Sequence, residues 1–236
     1  MDEPDDLFTS DQIISYLRSR ANPSNVAGMA HYGISSHNTL GVSIPVLREI
    51  AKGRRREHRL AQELWESGIH EARILAAFID DAALVDEAQL EAWVRDFDSW
   101  DVCDQVCSSL FDRTPYAWDK AVNWSERDEE FVKRSGFVLM AALAAHARKT
   151  PDERFEVFFE IILREACDER NFVKKAVNWA LRGIGKRSQY LNRLAIEAAQ
   201  RMAEIPCRAA RWNAKDALRE LQSEKIQKRL SSKRPN

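Results

Sequence analysis

A loose internal repeat constrains the fold of this chain more than any other feature of its sequence. The repeated segments read HEARILAAFI, EFVKRSGFVLMAAL, NFVKKAVNWALRGI and CRAARWNAKDAL. A basic residue takes the equivalent position in each segment, at successive intervals of 61, 41 and 36 residues: Arg73, Arg134, Lys175 and Arg211. Apolar residues recur in these segments with the spacing of a helix face. Each segment is therefore predicted to form a helix that buries one side.

The interval of 41 residues is close to the period of HEAT-type helical pairs, which is about 40–47 residues. Only eight glycines and seven prolines occur among 236 residues, and no Gly-rich linker divides the chain. We therefore predict an all-α fold, a right-handed α-α superhelix of HEAT-like repeats with a concave basic groove. The prediction treats residues 1–236 as one domain, with flexible tails at 1–9 and 228–236.

The N-terminal third of the chain gives weaker helix signals. Apolar spacing predicts a helix over residues 10–20 with Ser10 as its N-cap. The ANPSN stretch at residues 21–25 is predicted to be a loop, and the next helix is expected to begin near Pro45.

Several classes of protein are disfavoured by the sequence. No apolar run approaches the roughly 20 residues that span a bilayer, and the acidic start MDEPDDLFTSD does not resemble a secretory signal. The cysteines have a spacing that fits neither a zinc site nor a disulfide framework, and the five histidines are scattered. We expect no metal, no cofactor and no membrane partner, and a reducing cytoplasmic location, with nucleoid association in a bacterial or archaeal cell.

The charge is distributed unevenly along a chain whose net charge is only -1. Residues 1–120 hold 12 Lys and Arg against 21 Asp and Glu, whereas residues 171–236 hold 16 against 5, a balance of +11. Such asymmetry suggests a polyanionic partner for the C-terminal part, although a solvated charged surface would give the same counts.

The stretch DSWDVCDQVCSSLF predicts a helix with an acidic, aromatic flank. Asp98 is the expected N-cap, with Asp101 placed to reach back to it or to favour the positive helix end. At about 100° per residue, one stripe is buried, and it consists of Cys103, Val106, Cys107 and Leu110. Trp100 and Asp104, four residues apart, lie together on one flank of that stripe. Asp104 is thus predicted to be a helix–helix hydrogen-bond partner or a site group.

The segment NFVKKAVNWALRGIGKRS adds a cationic stripe to a helix whose apolar side is complete without its tryptophan. The stripe follows the helical spacing i, i+4, i+7 and i+11: Lys175, Trp179, Arg182 and Lys186. Basic side chains neutralise phosphates, and a flat indole packs on a sugar or a base. With equivalent repeat positions stacked, Arg134, Lys175 and Arg211 are predicted to line the groove. Alternatively, the chain is a protein-binding scaffold, and these basic residues bind an acidic protein.

These motifs resemble those of the AlkD-like DNA alkylation repair glycosylases, which are HEAT-repeat DNA glycosylases. The resemblance covers residues 30–222 and is carried by SWDVCD, FVKRSGFVLMA, FVKKAVNWALRGIGKRS and, more loosely, GVSIPVLREIAK. It implies that Asp104 faces the deoxyribose of the damaged nucleotide and that Trp100 and Trp179 pack against the sugar. Tyr16 and Tyr32 are both candidates for the N-terminal aromatic contact of the family.

The resemblance further implies that Arg134 holds a nearby phosphate. DNA-backbone contacts are expected from the remaining cations of these motifs: Lys133, Lys174, Lys175, Arg182, Lys186 and Arg211. The expected activity is hydrolysis of the N-glycosidic bond of cationic N3- or N7-alkylated purines in double-stranded DNA by a monomeric, monofunctional glycosylase. Two alternatives stay open, a non-catalytic HEAT module that binds damaged or structured DNA and a protein-binding scaffold.

Overall fold

A computed structural model describes residues 9–232, which contain fourteen α-helices and no β-strand. The all-α prediction is confirmed for these residues. The chain divides into two compact units, one within residues 1–114 and the other within residues 115–236. The first unit contains α1 (Ser10–Ser19), α2 (Pro23–His31), α3 (Ile44–Ala51), α4 (His58–Glu66), α5 (His70–Ile79), α6 (Glu87–Arg95) and α7 (Trp100–Ser109).

The second unit contains the other seven helices of the described residues. They are α8 (Ala117–Ser125), α9 (Glu130–His146), α10 (Glu156–Arg164), α11 (Asn171–Gly185), α12 (Gln189–Ala203), α13 (Arg208–Leu221) and α14 (Glu224–Ser231). The repeat seen in the sequence is confirmed, since its segments form α5, α9, α11 and α13. The equivalent basic residue is the fourth or fifth residue of each helix.

The first helices of unit one differ in two details from the predictions. Thr9, not Ser10, is the N-cap of α1, because its side chain and that of Gln12 form a reciprocal capping box. The stretch predicted to be a loop instead begins α2, with Asn22 as the N-cap and Pro23 in the first turn. The predicted start near Pro45 is confirmed by α3.

The core of unit one lies where α3, α4 and α7 pack against α5. The indoles of Trp65 and Trp93 stack with their centroids 3.9 Å apart. The buried carboxylate of Glu71 accepts hydrogen bonds from the backbone N–H groups of residues 40–42, at 2.6–3.2 Å. This charge-assisted set ties the loop after α2 to α5.

The core of unit two is built around α9, whose residues 132–144 are all buried. α9 packs against α8 and α11, and α11 packs against α12 and α13. The close approach of α8 to α9 depends on Gly136, since a Cβ there would lie 2.5 Å from the backbone nitrogen of Ser125.

A disulfide corrects the interpretation of the cysteines. Cys167, before α11, is bonded to Cys207, the N-cap of α13, across 40 residues. The expectation of no disulfide is therefore wrong, and the argument for a reducing compartment loses its premise. Cys103 and Cys107 take no part in a disulfide and are buried, as predicted.

The two predicted tails are partly structured. Thr9 caps α1, and residues 228–231 complete α14, where Leu230 is buried. The rest of both tails, residues 1–8 and 233–236, lies outside the described residues.

Candidate nucleic-acid interface

The start of α7 is held by residues of two earlier segments, the loop after α2 and α5. Its N-cap is Ser99, so the expectation that Asp98 caps the helix is wrong. The Ser99 hydroxyl accepts the backbone N–H of Ser35 at 2.8 Å and makes no bond to its own helix. Asp101 does not reach back to cap the helix either, because its Oδ2 lies 2.8 Å from Nε2 of His70.

The His70–Asp101 pair is a buried electrostatic contact between α5 and α7. Burial by itself lowers the pKa of His70, but the hydrogen bond and charge of Asp101 raise it, with Glu71 and Asp98 adding to the effect. The net pKa of His70 is raised. The protonated imidazole is thus favoured in the folded state, where it fixes the first turn of α7.

Trp100 and Asp104 occupy the flank of α7 that the sequence predicts. The stripe from Cys103 to Leu110 is buried, as predicted, while Trp100 and Asp104 are both half-buried. Nε1 of Trp100 donates a hydrogen bond to the backbone oxygen of Tyr32 at 3.1 Å. This bond fixes the edge of the indole one helical turn from the carboxylate.

The bond from Trp100 also bears on the open question of the N-terminal aromatic contact. The Tyr32 side chain is 72% exposed and follows the last turn of α2 directly, whereas Tyr16 is half-buried on α1. Tyr32 therefore has more surface for a ligand and a direct bond to Trp100, which favours it over Tyr16.

In unit two, the two basic residues predicted near the start of α9 are buried. Arg134 is 5% exposed, and its Nη1 donates to the backbone oxygen of Phe172 at 2.5 Å. Lys133 is 8% exposed and lies 2.8 Å from Glu165 and 3.9 Å from Asp168. A phosphate at Lys133 would have to compete with both carboxylates. The DNA roles of both residues stay predictions.

The cationic stripe of α11 is only partly available to a ligand. Lys175 is exposed and Trp179 is half-buried, as predicted. Arg182 and Lys186, by contrast, form ion pairs with Glu220 of α13 at 2.6 and 2.8 Å. Burial alone raises the pKa of Glu220, but the bonds and charges of these two cations outweigh it and lower the pKa. The C-terminal end of the stripe is therefore neutralised by a carboxylate of the same protein.

Several cations for which the described residues show no ion pair lie around the first turns of α11 and α13. Three of them, Lys174, Lys175 and Arg211, are in the predicted DNA-binding set. Sequence reasoning missed three more residues on an exposed face of α13: Arg208, Trp212 and Lys215. Their i, i+4, i+7 spacing was the available signal.

The predicted catalytic residues are divided between the two units. Trp100 and Asp104 belong to unit one, and Arg134 and Trp179 belong to unit two. Their convergence in one concave basic groove stays a prediction. Among residues 9–232, no cluster of three or more metal-binding side chains is found, and every helix is too short or too polar to be a membrane-spanning segment.

Comparisons with known proteins agree on the fold and on a family. Residues 13–221 match the family described as DNA alkylation repair enzyme. A solved structure, described as a new family of proteins related to the HEAT-like repeat DNA glycosylases with affinity for branched DNA structures, has a TM-score of 0.78. It is 18% identical and covers 96% of this chain and 98% of its own, which confirms the predicted HEAT-like fold. No curated protein is significantly similar in sequence.

Proposed function

Because the chain belongs to the family of DNA alkylation repair enzymes, we propose that it is a monofunctional DNA glycosylase that releases cationic N3- or N7-alkylated purines from duplex DNA. The observation that carries the proposal is the half-buried pair of Trp100 and Asp104 on one flank of α7. Both residue types and their four-residue spacing suit a site that meets a sugar.

Asp104 has the central chemical role in this proposal. An alkylated purine already carries a positive charge, so it leaves as a neutral base and needs no general acid. The sugar then develops oxocarbenium character, which a nearby carboxylate stabilises. Water adds to C1′, and its proton passes to the carboxylate or to solvent. The indole of Trp100 adds attraction for the cationic sugar and excludes water from one side.

Unit two supplies the DNA-backbone contacts in the proposal. Trp179 packs against the sugar-phosphate chain, and Arg134 orders the start of α11 while facing a phosphate. The exposed Lys175 and Arg211, together with the half-buried Lys174, provide the phosphate neutralisation that duplex binding requires. The partly buried and ion-paired Arg182 and Lys186 contribute less than their number suggests.

The test is release of 7-methylguanine from N-methylated duplex DNA. Loss of an electrostatic stabiliser typically slows a reaction by about 10²–10³, so Asp104→Asn is expected to lose most activity while it still binds DNA. Asp98→Asn is the matched control, because Asp98 is an exposed carboxylate of the same motif. Its activity should stay within about twofold of wild type. Full activity of Asp104→Asn would remove the proposed role.

A second function is favoured by the solved structure that is described as having affinity for branched DNA. In that case the chain binds DNA without cleaving a glycosidic bond. Wild-type protein that binds flaps or junctions in a salt-dependent way, yet releases no purine, would support this alternative. If duplex and branched DNA both fail to bind, a protein-binding scaffold is favoured.

A further inference from the structure

An exposed basic and aromatic face lies on the first three turns of α13. Arg208, Arg211, Trp212 and Lys215 follow the spacing of one helix face and are all exposed. Trp212 keeps 44% of its surface exposed, which is unusual for so large an apolar side chain. We call these four residues and Lys174 the α13 patch.

Lys174 joins the patch from the neighbouring helix. Its Nζ lies 5.2 Å from the centre of the Trp212 ring, within the range of a cation–π contact. The contact fixes the indole against α11, yet Trp212 is 44% exposed with Lys174 in this position. Indole surface therefore stays available for a second flat partner.

The first turn of α13 is anchored by a disulfide and by a hydrogen bond. The N-cap, Cys207, is bonded to Cys167. The backbone N–H of Ala209 donates to Oε1 of Glu169 at 3.0 Å. Trp212 lies one turn beyond these attachments, so its backbone is ordered before any ligand arrives. Such preorganisation lowers the entropic cost of binding.

The two carboxylates that follow the patch on α13 have other partners. Asp216 pairs with Arg182 and Arg219, and Glu220 pairs with Arg182 and Lys186. The cations of the patch make no ion pair among the described residues. The patch thus keeps its positive charge for an external anion.

We propose that the α13 patch binds an unpaired nucleotide of DNA, with its base stacked on Trp212 and its phosphates held by Lys174 and the arginines of α13. The choice of DNA as partner rests on the proposed function. The preference for an unpaired nucleotide rests on geometry. In a duplex both faces of a base are covered by its neighbours, whereas an unpaired base offers a free face to an indole.

The test compares two DNA probes, a plain duplex and the same duplex with a single-stranded oligothymidine flap. Affinities are measured by fluorescence anisotropy for wild type, Trp212→Leu and Trp212→Phe. Wild type should prefer the flap. Trp212→Leu should reduce the ratio of flap to duplex affinity by about tenfold, which is within the range for loss of one stacked base. Trp212→Phe, which keeps a ring, should restore most of that ratio.

Tyr190→Leu is the matched control, because Tyr190 is an exposed aromatic of the same unit that also lies beside an arginine, Arg193. It should leave the ratio unchanged. The proposal is overturned if Trp212→Leu retains the wild-type ratio, or if wild type does not distinguish the two probes. It is also overturned if polyglutamate displaces the flap as effectively as oligothymidine of equal charge, which would indicate an acidic protein partner.

The outcome is separable from that of the glycosylase proposal. Purine release is measured on duplex without a flap and depends on Asp104 in unit one, whereas the affinity ratio depends on Trp212 in unit two. Absence of purine release with an intact flap preference would remove the enzyme and keep the α13 patch. Normal purine release with an unchanged ratio of flap to duplex affinity in Trp212→Leu would keep the enzyme and remove the α13 patch.

Discussion

Two glycines in helix interiors are expected to respond in opposite ways to the same substitution. Gly136 in α9 faces α8, where an added Cβ would lie 2.5 Å from N and 2.9 Å from Cα of Ser125, and 3.0 Å from the Ala121 oxygen. Gly183 in α11 faces Ala141, whose nearest atoms would lie 3.5 Å from an added Cβ. The first set of distances is a clash with backbone, and the second is an ordinary contact.

The magnitudes follow from two opposing effects. Alanine in place of glycine in a helix interior stabilises by about 1 kcal/mol through backbone entropy. Overpacking costs about 1–3 kcal/mol, and the upper end applies to Gly136 because the obstacles are backbone atoms that cannot rotate away. Gly136→Ala should therefore lower the free energy of unfolding by roughly 2 kcal/mol. Gly183→Ala should raise it by up to about 1 kcal/mol.

Urea unfolding followed by circular dichroism measures both variants against wild type. The urea concentration at the unfolding midpoint should fall for Gly136→Ala and rise or stay constant for Gly183→Ala. The dependence of the free energy of unfolding on urea concentration should change little. If the midpoint of Gly136→Ala does not fall, the close approach of α8 and α9 does not govern the stability of unit two. The reasoning from Cβ distances would then be refuted.

Two further predictions concern the buried pair of unit one and the disulfide of unit two. Because the folded-state pKa of His70 is raised, its pairing with Asp101 stabilises fully below about pH 6.5 and is lost as pH rises through the folded-state pKa. The difference in free energy of unfolding between wild type and His70→Gln should therefore shrink with rising pH in urea titrations. A difference that grows with rising pH would contradict this prediction. Cys167→Ala opens a loop of 40 residues that Cys207 closes, which should cost about 4 kcal/mol. Dithiothreitol should abolish the difference from wild type; a difference that persists in reductant would show that the bond is not its cause.

The parts of the fold that were predictable from sequence are those fixed by local periodicity. The repeated segments form helices, and the stripe on α7 is buried, because apolar spacing alone decides which face turns inward. The start of α2 was missed although Asn22 and Pro23 carry both signals of a helix N-terminus. The prediction took the same residues for turn formers, which they also are.

The parts that were not predictable depend on partners distant in sequence. Asp101 is suited to cap its own helix, but His70, 31 residues earlier, takes its carboxylate. Likewise, helical spacing placed Arg182 and Lys186 on a cationic stripe, and only the packing of α13 on α11 brings Glu220 to them. Local sequence sets what a side chain is able to do, and tertiary packing decides which of its options is used.

The repeat itself nevertheless contained most of this missing information. When helical repeats stack, residues one period apart become neighbours. The bonds and ring contacts that join α11, or the segment before it, to α13 connect residues 34 to 40 positions apart. Four of them span 38 or 40 positions: Cys167 with Cys207, Glu169 with Ala209, Lys174 with Trp212 and Arg182 with Glu220. Three span 34 or 35: Lys186 with Glu220, Arg182 with Asp216 and Asn178 with Asn213. The interval of the basic positions of these helices is 36 residues. Pairing each residue with the positions 34 to 40 residues away would have brought Cys167 to Cys207, and Glu220 to Arg182 and Lys186. The same offset places Glu220 of α13 beside the C-terminal end of the α11 stripe, so Arg182 and Lys186 are neutralised while Lys175 and the cations at the start of α13 are not.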